Sequence, residues 1–514
     1  MTDNCSIFDT YHTFNLLFDI YPDKIHSGAV YGYRKQDGTL LEFPCTLDVS
    51  RAVKDEKGRW TASRLGLKPA FVKYSDALKR HGVKEAWIGE GFTEKENLKE
   101  FNVNKTIKEV RFLDNVTSIG KKAFQDCNAL ISITMPEGVK TIGESAFEDT
   151  SITDVTIPSS VTFIGDSAFK GCTRLTGITI PNGVKYIRSD TFQDCTSLTD
   201  VTIPDSVRSI GEKAFYRCTG LKNVTIPNSV TSIGKFAFED CESLTSITIP
   251  DSVTSIGDSA FAGCSAMTSI TLSDSITSIK RGTLAVCSGL TNVKIPDSVT
   301  SIGNQAFYGC SSLTSITIPE GVMSIGDHAF KKCTNLTSIK IPDSVTKIGH
   351  EAFVYCTNLT SITIPNGVTS IGNYVFWYCE SLTSMTLPDS ITKIGICMFY
   401  GCKSLTGVTI PPSVTSIGKE AFAKCISLTS ITIPDSVTSI GKSVFENCRS
   451  LIDIYVNQPE STLLNKATVP SDCTIHWKSA PSFAGMLPSS NTPMSKQDTV
   501  VPGLRVHLYQ QGFA

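Results

Sequence analysis

Cysteine is the residue whose spacing first suggests chemistry. The chain holds 18 cysteines and 7 histidines in 514 residues. That is enough thiol and imidazole for disulfides, a redox pair or a zinc centre. Thirteen of the thiols follow one another at intervals of 23 residues: Cys172, Cys195, Cys218, Cys241, Cys264, Cys287, Cys310, Cys333, Cys356, Cys379, Cys402, Cys425 and Cys448. Cys127 belongs to the same series, and Cys5, Cys45, Cys397 and Cys473 lie outside it.

The spacing argues against each kind of thiol chemistry. Zinc takes about four convergent ligands, often paired within a few residues, and the chain has no C-x-x-C. His12, His26, His81, His328, His350, His476 and His507 keep no common register. Residues at equal places of stacked coils have parallel Cβ vectors, whereas a disulfide needs converging ones. The expectation is a structural ladder of buried thiols acting as small hydrophobes, with no metal and no cofactor. Thr150 stands where one cysteine of the series belongs, so a small side chain suffices there. Reduced thiols agree with an intracellular setting.

No catalytic residue can be assigned. G-x-S-x-G, H-E-x-x-H, G-x-x-x-x-G-K-[ST] and G-x-G-x-x-G are all absent. Asp205, Asp251, Asp297, Asp343, Asp389 and Asp435 share one register, but Asn182, Asn228, Asn366 and Pro412 interrupt it. Turn formation accounts for Asp, Asn and Gly there. The chain reads as a non-enzyme.

The element that carries the thiols is a repeat of 23 residues. From Leu313 it reads LTSITIPEGVMSIGDHAFKKCTN, and from Leu336 LTSIKIPDSVTKIGHEAFVYCTN. Fifteen units span residues 107–450, and the unit at 130–151 is one residue short. Places within the unit are counted here from its leading Leu. Apolar places 4 and 6 alternate with Ser and Thr, the period of a half-buried strand. Proline at place 7 ends the strand, because it cannot donate to a ladder. A second short extended piece follows, as in VTSIG. Glycine at place 14 is expected to allow a turn, and the segment down to Ala-Phe to form one turn of α- or 3₁₀-helix. Each unit offers eight side chains for burial, each contributing about 1.5–3 kcal/mol. Only stacking hides them, so stability is a sum of nearest-neighbour interfaces.

The recurring IP, IG, AF and closing Cys resemble the BspA-like, or Treponema pallidum-type, leucine-rich repeat family. The resemblance implies a leucine-rich-repeat solenoid, β-rich with short helical or 3₁₀ turns and a parallel stack of strands. Family members include bacterial surface adhesins that bind host proteins.

The ends differ from the array. Residues 1–82 read as a small α+β module or extended cap. YGYRKQDGTLLEF gives a hairpin signal with Asp37-Gly38 at its turn, and SDALKRHG a short helix from Ser75 to Gly82. Residues 83–106 read as a degenerate capping coil, with Val83, Ala86 and Ile88 at strand places. Residues 451–478 read as a C-terminal cap whose last strand, in CTIHWK, covers the open edge. Residues 479–514, rich in Ser, Pro, Gly and Gln, are expected to be disordered.

A formal net charge of -2 leaves no electrostatic footprint for nucleic acid or an anionic membrane. The N-terminus lacks a basic region followed by an apolar run, and no stretch is long and apolar enough to span a bilayer. A cytoplasmic location is the expectation, with the cell surface by an unconventional route as the alternative.

The extended outer side of the strand is the informative surface. Its place 5 holds Thr179, Thr202, Thr225, Thr248, Thr271, Lys294, Thr317, Lys340, Thr363 and Thr386. Two coils depart further from the pattern: Arg188 and Thr191 replace Gly and Ala in 175–197, and Lys280, Thr283 and Leu284 replace Gly, Ala and Phe in 267–289. The reading that follows is a monomeric interaction scaffold, binding protein or glycan through the Thr/Ser face. The alternatives are a BspA-type adhesin and an ice- or crystal-binding Thr plane.

Overall fold

The structure is a computed structural model. It describes residues 108–112 and 116–478, together with the strands Tyr31–Arg34, Leu40–Phe43, Val53–Lys54, Trp60–Thr61, Glu85–Ile88 and Val506–Tyr509. The chain divides into two compact units, Met1–Cys264 and Ser265–Ala514. Each is a parallel β-solenoid with two short strands per coil.

In the first unit, Glu85–Ile88, Glu109–Phe112, Ser132–Thr134 and Asp154–Val155 form one parallel ladder. Gly177–Thr179, Asp200–Thr202 and Asn223–Val224 form the next. The second strands stack separately, from Ser118–Ile119 to Phe163–Ile164 and from Tyr186–Ile187 to Ser255–Ile256. The hairpin signal corresponds to an antiparallel pair, Tyr31 opposite Phe43 and Arg34 opposite Leu40. Its Asp37-Gly38 turn and the expected helix at 75–82 lie outside the described residues.

In the second unit, first strands stack in register from Ser269–Thr271 to Ser361–Thr363, and second strands from Ser278–Ile279 to Ser370–Ile371. Asp453–Val456 pairs with Ser430–Ile433 and then with Thr474–Lys478, all parallel. Thr474–Lys478 was expected to end the sheet. Instead Val506–Tyr509, within the tail expected to lack structure, pairs along its other side. The rest of 479–514 lies outside the described residues.

The core is built as the repeat demands. In the coil from Leu313, Leu313, Ile316, Ile318, Val322, Ile325, Ala329, Phe330 and Cys333 are all buried. Phenylalanines at place 18 stack face to face. In the first unit Phe124 to Phe261 form a column with ring centres 5.1–5.7 Å apart. A second column runs from Phe307 to Phe445 in the second unit. Such offset ring pairs add to the hydrophobic term.

The expected helical turn in each coil does not form. Among the described residues the helical element is a 3₁₀ turn at Thr462–Leu464. In its place, residues at places 16 and 20 take positive φ, as Lys213 (52°) and Arg217 (56°) do. The N–H groups of Lys213, Phe215 and Arg217 then donate to carbonyls of the next coil, Lys235, Ala237 and Glu239. Those of Ala214, Tyr216 and Cys218 turn back three residues within their own coil. A helix would keep every N–H inside its coil. Alternating the backbone direction sends every second one along the stack, which offsets the left-handed penalty of about 1–2 kcal/mol per residue.

Glycine at place 14 serves close approach, and the conformational freedom expected of it is not used. Its φ is not positive. A Cβ on Gly234 would lie 2.5 Å from the backbone carbon of Gly211, and one on Gly165 2.4 Å from the amide nitrogen of Glu144.

Candidate functional site

The array is rich in hydroxyls, and the structure sorts them into groups that the sequence leaves alike. Threonines at place 2 donate to the place-2 carbonyl one coil back: Thr199 to Thr176 at 3.0 Å and Thr360 to Thr337 at 3.1 Å. Those at place 11 do the same, as Thr300 to Thr277 at 3.1 Å. Those at place 22 follow, as Thr334 to Ser311 at 3.3 Å. Serines at place 9 donate to a valine or isoleucine carbonyl, as Ser206 to Val184 at 2.6 Å. Each hydroxyl is thus a bond between neighbouring coils, and a β-branched residue fits beside the strand.

The outward strand places are different. Thr179, Thr202, Thr225, Thr248, Thr271, Thr317, Thr363 and Thr386 are exposed, as are Lys294 and Lys340. Among the described residues their threonine hydroxyls have no intramolecular partner, and neither do those of Ser315, Ser338, Ser361 and Ser384 at place 3. Parallel pairing sets the row in register: Thr179 opposite Thr202, Thr271 opposite Lys294, Thr317 opposite Lys340, Lys340 opposite Thr363. Lys340 reaches Glu320 at 3.3 Å, with both side chains largely in water, a pair of little energetic weight. In each unit the surface is thus a double row of exposed hydroxyls on parallel ladders. It can hydrogen-bond a partner.

The cysteines do more than fill space. All thirteen from Cys172 to Cys448 are buried and unpaired by disulfides. In each unit the Sγ–H donates to the carbonyl of the place-18 residue one coil back. Cys172, Cys195, Cys218, Cys241 and Cys264 do so in the first unit, at 3.1–3.3 Å. Cys310 donates to Leu284, and Cys333, Cys356, Cys379, Cys402, Cys425 and Cys448 to phenylalanine carbonyls, in the second. The description as small hydrophobes therefore omits a donor role. Thr150, at the same place, donates to Phe147 and sits 3.3 Å from the Cys172 sulfur. Burial pushes the thiols of Cys172 and Cys310 up to about 12, so thiolate chemistry is suppressed.

Two of the scattered histidines have local roles. His350 at place 15 accepts the Asn373 N–H at 3.0 Å, continuing a row in which Asn304 and Asp327 accept from the next coil. His476 bonds Asp453 at 2.8 Å and stacks on Tyr455. Among the described residues no group of three or more His, Cys, Asp or Glu could hold a metal.

The irregular coils have an internal logic. Thr191 and Thr283 are buried, and each hydroxyl donates at 2.9 Å to the carbonyl of the cation that replaces glycine, Arg188 or Lys280. The Gly→cation and Ala→Thr changes thus go together.

A family model described as BspA type leucine rich repeat region (6 copies) matches residues 97–222, 185–288, 281–402 and 369–473. A leucine-rich repeat protein of Bacteroides ovatus is similar at 24% identity and a TM-score of 0.54, over 89% of this chain and all of that one. The Treponema pallidum leucine rich repeat protein shares 33% identity over 35% of this chain and 84% of its own, with a TM-score of 0.31. A leucine rich cell surface protein of Faecalibacterium prausnitzii shares 27% over 86% and 96%, with a TM-score of 0.33. No curated protein matches. The repeat, its two-strand coil and the extent of the family match together place this chain in the BspA-type leucine-rich repeat family.

Proposed function

We propose that the protein is a non-enzymatic interaction scaffold that binds a protein partner through the outward Ser/Thr face of its first strands. The observation that carries this is the division of hydroxyls. Four rows are spent on coil-to-coil bonds, while the strand-face row is exposed and unengaged. Rigid, extended faces are the usual binding surfaces of solenoids, and leucine-rich repeat proteins bind protein partners in general.

Thr179, Thr202, Thr225 and Thr248 would carry contact in the first unit. Thr271, Lys294, Thr317, Lys340, Thr363 and Thr386 would do so in the second. A pull-down with the full chain tests this, against a variant with Thr317→Lys and Thr363→Lys. Loss of a captured partner by the variant, with unchanged circular dichroism, is the expected result. Retention of every partner would remove the strand face from consideration.

The same face would serve a cytoplasmic scaffold or a surface adhesin. No helix among the described residues is long and apolar enough to cross a membrane. Antibody labelling of intact against permeabilised cells separates the two, with labelling after permeabilisation alone expected for a cytoplasmic scaffold.

A further inference from the structure

The second-strand face of the first unit carries a patch that departs from the repeat at adjacent places. Place 12 is Ser or Thr in most coils, and Lys in two of the second unit. In the neighbouring coils 152–174 and 175–197 it is Phe163 and Tyr186, exposed at 42% and 54%. Place 11 is Thr in most coils, yet it is Lys140, Lys185 and Arg208 in the coils around this pair. All three cations are exposed, and among the described residues none has an ion-pair partner. Glu137 and Asp205, three residues ahead of Lys140 and Arg208, pair with neither, and Glu137 accepts the Ser159 hydroxyl.

Arg188 organises the middle of the patch. Its guanidinium lies 5.2 Å from the centre of the Phe163 ring and bonds both oxygens of Asp166, at 3.2 and 3.4 Å. It stands where other coils keep glycine against the preceding backbone. At this junction the second-strand ladder is interrupted, ending at Phe163–Ile164 and resuming at Tyr186–Ile187. One exposed ring beneath an arginine, a second exposed ring one coil on, and flanking cations without ion-pair partners have the composition of an interface centre. Thr would have tied its hydroxyl to the neighbouring coil at the positions the cations occupy, as Thr231 does to Arg208 at 3.2 Å. Those positions have exchanged a structural bond for a free charge.

We propose that Phe163 and Tyr186, with Lys140, Lys185 and Arg208, form a docking patch for an acidic protein segment bearing apolar side chains. It is separate from the Ser/Thr strand face. Uncompensated positive charge selects the acidic residues and steers their approach, and the two rings supply apolar contact beyond charge. The need for that apolar contact favours a protein segment over a sulfated glycan.

The repeat itself supplies variants that keep the fold. Phe163→Ser with Tyr186→Ser installs the residue other coils carry, and Lys140→Thr, Lys185→Thr and Arg208→Thr do the same at place 11. Binding of a fluorescent peptide alternating Glu and Leu to the full chain is measured by anisotropy, with circular dichroism confirming the fold. A Lys–Leu peptide and a heparin oligosaccharide serve as comparisons. The expected result is saturable binding of the Glu–Leu peptide alone. The aromatic variant should weaken it by about tenfold or more, and the cation variant should weaken it and flatten its salt dependence. Absence of binding, binding unchanged by either variant, or preference for heparin would overturn the proposal. Partners that need the strand face should be retained by both variants, so this test and that of the scaffold fail independently.

Discussion

The thiol of Cys218 lies 3.1 Å from the carbonyl oxygen of Phe192 one coil earlier, and the same oxygen accepts the N–H of Cys195 at 3.2 Å. The carbonyl uses both lone pairs, one within its coil and one across to the next. Repeated along each unit, this makes the thiol a cross-coil tie as well as a filler.

Cys218→Ala should therefore destabilise by about 1–2 kcal/mol, from a small cavity and a carbonyl left with one partner. Cys218→Val refills the volume without restoring the donor, and should remain less stable than the parent by about 0.5–1 kcal/mol. Urea midpoints of the full chain compare the three. Complete recovery with valine would assign the whole effect to packing.

Alkaline pH should unfold the array through its cysteines. Burial raises the thiols of Cys172, Cys310 and Cys448 from 9.0 to about 12. The unfolded chain binds fewer protons than the folded one between those values, so the stability these groups contribute is complete below pH 9 and is lost as pH rises towards 12. A circular dichroism titration should show a cooperative loss within that window. Iodoacetamide at pH 8 should leave these three thiols of the native chain unmodified.

Gly234→Ala should cost about 2–3 kcal/mol, because the new Cβ meets the Gly211 backbone. Ser259→Gly should be neutral or stabilise by up to about 1 kcal/mol, since Ser259 holds a φ of 51°. Thermal midpoints of the two variants should move in opposite directions or differ widely. Equal losses would contradict the division between close approach and left-handed backbone.

Two threonines three residues apart should respond differently. Thr360→Val removes the 3.1 Å bond to Thr337 and should cost about 0.5–1 kcal/mol. Thr363→Val removes a hydroxyl with no intramolecular partner and should change stability by less than about 0.5 kcal/mol. If strand-face hydroxyls contact a partner, the second variant should weaken capture while the first does not.

Much of the fold was legible because each unit states it again. Apolar alternation in LTSITIP requires a half-buried strand, and eight inward side chains require stacking. Neither conclusion depends on contacts beyond the next coil. The helical turn was misjudged for the opposite reason. Residues such as Lys213 and Arg217 carry no propensity for left-handed backbone, and the carbonyls that reward it belong to the following coil. Glycine at place 14 was assigned to the right position for the wrong cause, since a close approach to Gly211 or Glu144 leaves no local signature.

The amino-acid sequence by itself determined the coil, its period and its core, because these follow from side-chain polarity repeated at a constant interval. Tertiary structure alone decided which hydroxyls are spent on the stack, which face outward unengaged, and how Arg188 comes to lie over Phe163. These depend on the register between one coil and the next, where chemically identical threonines acquire different neighbours.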